Sequence, residues 1–366
     1  MRARLAVLLC IAALACRGPR PATAPGACTH VQAVRELRGA EVCEDVWSCA
    51  RPPGGRFDRV GLHRLAACEG ATGPVVVYLP GMHMNGELPI PDPRYDFRLY
   101  LAAAGFRTWG LDYRTHAVPP ETSAADLQAL ARWTADVFTD DAAWAVAFAR
   151  SIDPGPLYVA GFSAGASFAY RLVARPDVAL AGLVILDGTA AAGRRADTPT
   201  PAIDVGGTRL PYAERAQLLA AVIANPGGPS PLPGYATAGA ALADVLYTAP
   251  AFGGRGGLSN AREGVSDVAL VATLLRTYDR WWPSAALTAD VPAPRTPLPV
   301  LAFASRNMGP AWVERVRASA LAVGGDGAGV RELPGYGHLD VLVGRRAAQE
   351  VFEPVRAWLT GASVPR

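Results

Sequence analysis

The 366-residue chain is 51% hydrophobic and 18% charged, which suits a filled globular core and excludes global disorder. Its formal charge is only +3 and no lysine occurs, so all 35 basic residues are arginine; beside 38 glycines and 32 prolines, this fits a GC-rich genome. The arginines form no basic stripe interleaved with aromatics, so no nucleic-acid partner is expected.

The first residues, MRARLAVLLCIAALAC, carry two arginines, a short apolar run and Ala13-Leu14-Ala15 before Cys16. This is the layout of an export signal over residues 1–15, too short for a comfortable membrane span. Cleavage after Ala15 would leave Cys16 at the new N-terminus, the position lipidated in bacterial lipoproteins, although Ala13 stands where such signals usually carry leucine. The expected location is therefore the cell envelope, through a lipidated Cys16, or the exterior. Residues 16–27 are rich in Pro, Ala and Gly and read as a flexible tether. In an oxidising compartment Cys28, Cys43, Cys49 and Cys68 suggest two disulfides, with three connectivities open. The spacing from Cys43 to Cys49 is too wide for a paired metal motif, so residues 28–70 read as a disulfide-bearing extension and no metal site is expected.

Sheet elements follow. Residues 57–66 alternate enough for an early strand, and PVVVYLPG (74–81) is a continuous β-branched run suited to a strand buried on both faces. A helix over 96–106, a strand over 107–113 and a long amphipathic helix over 124–152 come next, the last stopped by Asp153-Pro154-Gly155. Strand 156–162, helix 164–175 and strand 179–188 continue the alternation, which resumes with strand 297–305, helix 311–323, strand 327–335 and a final helix over 344–360. Such alternation implies right-handed crossovers and a mostly parallel α/β sheet flanked by helices. Between Gly188 and Pro297 there is no clear strand; helices are expected near 211–224 and 263–281, and the interval reads as a cap over one end of the sheet. The chain thus divides into a core of 71–188 and 296–366 and a cap or lid insertion of 189–295.

One motif carries chemistry. Gly161-Phe162-Ser163-Ala164-Gly165 lies between an apolar strand and an alanine-rich helix, the strand–turn–helix setting of a nucleophile elbow. Side chains in place of the glycines would collide with the neighbouring strand or helix, and the bend exposes the Ser163 hydroxyl at a helix N-terminus. A serine needs a base. Of five histidines, His338 in GYGHLDVLVG follows the last predicted strand, 175 residues beyond the serine. The loop after strand 297–305, where the acid usually sits, offers only Asn307, which can orient an imidazole but cannot stabilise its charge. Asp187 at the end of LVILDG is the preferred acid; Asp340 is too near His338 in the chain to reach behind its ring, though well placed to order the loop. The backbone N–H groups of Ala164 and Met82 are the expected oxyanion donors, and His83 reads equally as a pocket or a loop histidine. The cap aromatics Tyr235, Tyr247, Phe252, Tyr278, Trp281 and Trp282 either line an apolar pocket or hold the cap on the body.

From about residue 74 to 360 the chain resembles an α/β-hydrolase of the serine esterase/lipase type. The segments AGFRTWGLDYRTHAVP and GYGHLDVLVG are similar to the acid-lipase-like branch, with "DYR" after a strand and "HLD" around the histidine. The resemblance implies a carboxylic ester substrate, lipid-like in the narrower case, no cofactor, and a Ser163–His338–Asp187 triad. The departures are Pro80, where members often carry histidine, and the missing acid near Asn307. The rival expectation is a non-catalytic surface lipoprotein that keeps the fold for binding.

Overall fold

The computed structural model describes residues 28–34, 41–87, 90, 92–191, 198–199, 204–205, 208–209, 212–287 and 297–361; the expected signal, Cys16 and the expected tether lie outside them. Nine strands form one mixed sheet: β1 (Cys28–Val34), β2 (Val42–Ala50), β3 (Arg59–Ala67), β4 (Val75–Leu79), β5 (Arg107–Asp112), β6 (Leu157–Phe162), β7 (Gly182–Leu186), β8 (Val300–Ser305) and β9 (Gly329–Leu333). Their spatial order is β1-β2-β3-β5-β4-β6-β7-β8-β9. The six strands from β5 to β9 pair in parallel, while β1, β2 and β3 pair antiparallel along one edge. The mostly parallel α/β sheet read from the alternation is therefore present.

The central strands show why their sequences lack a polar face. Every residue of β4, β7 and β8 is buried, because helices cover both sides. On one face Val75, Val77, Val159 and Ile185 pack with α3 (Ala135–Ile152), α4 (Ala164–Val173) and α8 (Pro310–Gly324). On the other, Val76, Tyr78, Val184 and Phe303 pack with α1 (Phe97–Ala103) and α10 (Glu353–Leu359). The same second cluster takes in the insertion's helices, α5 (Tyr212–Ala224), α6 (Ala238–Thr248) and α7 (Val268–Arg276).

Three expectations change. The extension read only as a disulfide framework is also sheet, since β1 and β2 continue it past β3. The long helix over 124–152 is broken: α2 (Ala124–Ala129) and a short 3-10 turn end before Trp133, and α3 begins at Ala135. Trp133 stays extended because its buried indole N–H donates to Asp58 Oδ1 at 2.9 Å, a tertiary bond that overrides local helix propensity. The final helix expected over 344–360 begins later, as a π-helical turn at 348–352 that runs directly into α10, and a separate short helix, α9 (Asp340–Val343), precedes it.

Charge buried among neutralising partners joins the antiparallel edge to the body. Asp153, just past α3, accepts from Arg64 Nε and Nη2 at 2.8 and 2.9 Å and from the Trp109 indole at 2.9 Å. Arg114 spans Asp58 at 2.6 Å and Asp141, which also accepts from Arg51 at 2.8 Å. His63 on β3 contacts Glu44 Oε1 at 3.1 Å and Asp112 Oδ2 at 2.8 Å, and Asp112 accepts from the Gly86 N–H at 2.7 Å. Burial works against a charge on His63, but the Asp112 carboxylate outweighs it, helped by Glu44 and opposed by Arg98, and raises the His63 pKa from 6.5 to about 10.

Two predictions concern this edge. The disulfides are Cys28–Cys49, whose residues face each other across β1 and β2, and Cys43–Cys68. They close loops of 21 and 25 residues, so removing either should cost about 3 kcal/mol in urea unfolding. Non-reducing peptide mapping that returned another pairing would overturn the register of β1 on β2. Because His63 binds its proton more tightly folded than unfolded, its contribution is complete below pH 6.5 and is lost as pH rises through about 10. Unfolding free energy should therefore fall more steeply between pH 7 and 10 in wild type than in His63→Gln; parallel profiles would refute the charged histidine.

Candidate active site

The sheet reverses direction of growth at β4: β5 lies on one side of it and β6 on the other. Such a switch point leaves a crevice at the carboxyl ends of the strands. Ser163 sits there, directly after β6, in a backbone conformation (φ 53°, ψ −119°) that non-glycine residues rarely adopt. The flanking glycines make the bend sterically possible. A Cβ on Gly161 would lie 2.7 Å from the Ala166 Cα, and one on Gly165 would lie 2.1 Å from the Leu79 carbonyl oxygen. The helix therefore approaches its own strand and the end of β4 more closely than any side chain permits.

Two loops bring partners to the serine. His338 follows β9 and its Nε2 lies 2.7 Å from Ser163 Oγ. Its Nδ1 lies 2.6 Å from Asp187 Oδ2. Asp187, at the end of β7, is fully buried and also has a positive φ, of 49°. Its other oxygen accepts from the Ser305 N–H at 2.7 Å and the Trp312 indole at 2.8 Å. A carboxylate with three such donors is held in one orientation, and the third donor is the imidazole.

The imidazole is walled by rings from three elements. Phe162 stacks on it at 4.8 Å, Phe252 of the insertion lies at 5.4 Å, and Trp312 of α8 meets it edge-on at 5.9 Å. The two amides expected as oxyanion donors, of Met82 and Ala164, belong to segments that adjoin the elbow. Gly81 packs so close to the elbow that a Cβ on it would lie 3.1 Å from the Ser163 Cβ, which brings the adjacent Met82 to the site. Ala164 opens α4, so its N–H has no partner within the helix. Neither amide makes a hydrogen bond among the described residues.

The loop after β4 is gripped from the insertion. His83 lies buried, with Nδ1 2.8 Å from the Asp279 carbonyl oxygen, while the Asp279 N–H donates back to the His83 carbonyl at 2.7 Å. Asn85 donates to the Thr277 carbonyl at 3.1 Å. His83 is thus a loop histidine that fastens the segment carrying Met82. The Asn307 side chain donates to the Gly335 carbonyl at 2.9 Å and its N–H to that of Tyr336, steadying the loop, while the carboxylate on the His338 ring is that of Asp187.

The insertion's aromatics divide between the two readings. Trp282 is buried against Phe138 at 4.9 Å and Tyr113 at 5.2 Å, and Trp281 faces Trp133, so both hold the insertion on the body. Tyr235 and Tyr247 donate to Asp244 and Glu263 within the insertion. Tyr278 lies beside Arg215, a contact inside the insertion. Of these six insertion aromatics, Phe252 is the one that lies against the imidazole. Ser305 and Trp312, which fix Asp187, escaped sequence reading: a strand-end serine and a helix tryptophan carry no motif.

Comparison with known proteins agrees with this architecture. No curated protein matches the chain. A lipase candidate from Sulfolobus solfataricus superposes with a TM-score of 0.70 at 24% identity, covering 88% of this chain and 95% of that one, a likeness of fold. A thermophilic esterase from Thermogutta terrifontis, at 17% identity, covers 85% of this chain and 96% of its own with a TM-score of 0.47, too loose to carry an argument. The model of the alpha/beta hydrolase family matches residues 76–353, from the first residues of β4 to the start of α10. A match over that span, together with the sheet order and the elbow after β6, makes this chain a member of the α/β-hydrolase superfamily.

Proposed function

We propose that the protein is a serine hydrolase that cleaves carboxylic esters through an acyl-enzyme, with Ser163 as nucleophile, His338 as base and Asp187 as acid. The observation that carries this reading is the unbroken relay from Asp187 Oδ2 to His338 Nδ1 (2.6 Å) and from His338 Nε2 to Ser163 Oγ (2.7 Å). Both contacts lie within the reach proton transfer needs. Ser163 Oγ attacks the ester carbonyl carbon as its proton passes to His338 Nε2, and buried Asp187 stabilises the imidazolium. The N–H groups of Met82 and Ala164 receive the negative charge on the former carbonyl oxygen. Collapse returns the proton to the leaving alcohol and leaves the acyl group on Ser163. Water, deprotonated by His338, then releases the acid.

The narrower readings belong to the same proposal. The acid-lipase-like segments favour a lipid-like acyl or alcohol part, admitted past Phe252. The core is taken as 71–188 and 296–366, and the cap as 189–295. Export by a cleaved signal fits the two disulfides, which need an oxidising compartment, and a lipidated Cys16 would tether the body to the envelope. The rival, a hydrolase fold kept for binding alone, drew on the missing carboxylate beside Asn307; Asp187 supplies a carboxylate to the histidine from another strand.

A fluorophosphonate that labels active serines tests the reading, with intact mass as the readout. Wild type should gain one label and lose it in Ser163→Ala and His338→Ala. Asp187→Asn should slow ester turnover by about 10⁴-fold, the cost of losing a triad carboxylate. A folded wild type that takes no label would favour the binding module.

A further inference from the structure

Two residues past His338, Asp340 lies fully buried and takes part in no ion pair among the described residues. Its carboxylate instead gathers four neutral donors. Oδ2 accepts from the Gly337 N–H at 2.7 Å and the Asn260 N–H at 2.8 Å. Oδ1 accepts from the hydroxyls of Ser259 at 2.7 Å and Ser266 at 2.6 Å. Three of the four come from the insertion; the fourth is the residue before His338. Two main-chain bonds run alongside, from the His338 N–H to the Gly257 carbonyl at 2.7 Å and from the Leu339 N–H to that of Leu258 at 2.9 Å. The backbone on both sides of the imidazole is thereby fastened to residues 257–266.

Burial raises the cost of a charge on Asp340, and the four hydrogen bonds that offset it also hold the groups that donate them in place. What it holds is the chain that carries His338, and Phe252, five residues before Gly257, lies against the ring. We propose that Asp340 is a positioning residue for His338, its carboxylate locking the base's loop to the insertion so that the insertion forms part of the mounting of the imidazole. This rests on the reading of His338 as the base. The bonding pattern also predicts which substitution is tolerated. The two backbone N–H groups on Oδ2 can only donate, but the two serine hydroxyls on Oδ1 can turn and accept. An asparagine with its oxygen toward the amides and its NH2 toward the hydroxyls would keep the lock; an alanine would not.

The test measures kcat and KM on a soluble p-nitrophenyl ester, together with the low-field proton resonance of the His338 Nδ1–H bonded to Asp187. In Asp340→Ala, kcat should fall by about 10²-fold with KM little changed, as expected for displacing a reacting group by about an ångström. The low-field resonance should broaden or vanish. Asp340→Asn should recover most of the kcat and the resonance. A folded Asp340→Ala with wild-type kcat and an intact resonance would overturn the proposal, as would an Asp340→Asn as impaired as the alanine. Should Asp340→Ala fail to fold, Ser259→Ala/Ser266→Ala removes half the donors and keeps the rest; a lowered kcat supports the lock and an unchanged one refutes it. If wild type neither turns over esters nor takes a fluorophosphonate, the esterase reading fails, whereas a resonance lost in Asp340→Ala and kept in Asp340→Asn would still support positioning.

Discussion

The site depends on one buried carboxylate. Asp187 stands at the end of β7 with no exposure to solvent, and an ionised carboxylate there would cost several kcal/mol if its donors were missing. The donors come from three separate places: the end of β8, helix α8 and the loop after β9. Satisfying the carboxylate therefore requires that β7, β8 and β9 be in register and that α8 be docked. Once they are, the imidazole has a single orientation, and its remaining nitrogen points at Ser163.

The elbow answers the same constraint from the other side. Ser163 is held in a strained conformation because α4 must reverse tightly onto β6, and the glycines around it let the backbone close to distances that side chains forbid. The strain is sustained by a core in which β4, β7 and β8 are buried along their whole length. Rigid strands position Ser163 and Asp187, while Met82 and His338 arrive on loops. Both of those loops are secured by the insertion, at Asp279 for the first and at residues 257–266 for the second. The insertion between β7 and β8 is thus more than a cover over the crevice.

At the far edge, the antiparallel strands are joined to the sheet by charge as much as by apolar contact. Asp58, Asp112, Asp141 and Asp153 each meet a cation or an indole in a buried position. Asp112 links this edge to the site, since one oxygen contacts His63 and the other accepts from Gly86 in the loop that carries Met82. These buried contacts, together with the ladders of β2 on β3 and β3 on β5, tie the extension to the body, so it is part of the sheet rather than an appended module.

By itself the sequence determined the alternation of strands and helices, the elbow at Ser163 and the candidacy of His338. Each of these is local: a run of buried residues, glycines two positions either side of a serine, a histidine after a strand. The acid could be narrowed only to Asp187 or the neighbourhood of Asn307, because its identity depends on which strand end faces the imidazole, and that is a matter of strand order. Cysteine spacing could not choose among three pairings; the register of β1 on β2 does so by setting Cys28 opposite Cys49. The break at Trp133, the donors Ser305 and Trp312, and the four-donor socket of Asp340 were decided only by tertiary structure. Apart from the Gly337 N–H, three residues from Asp340, their partners lie 74 to 125 residues away along the chain, and no local pattern encodes a hydrogen bond of that reach.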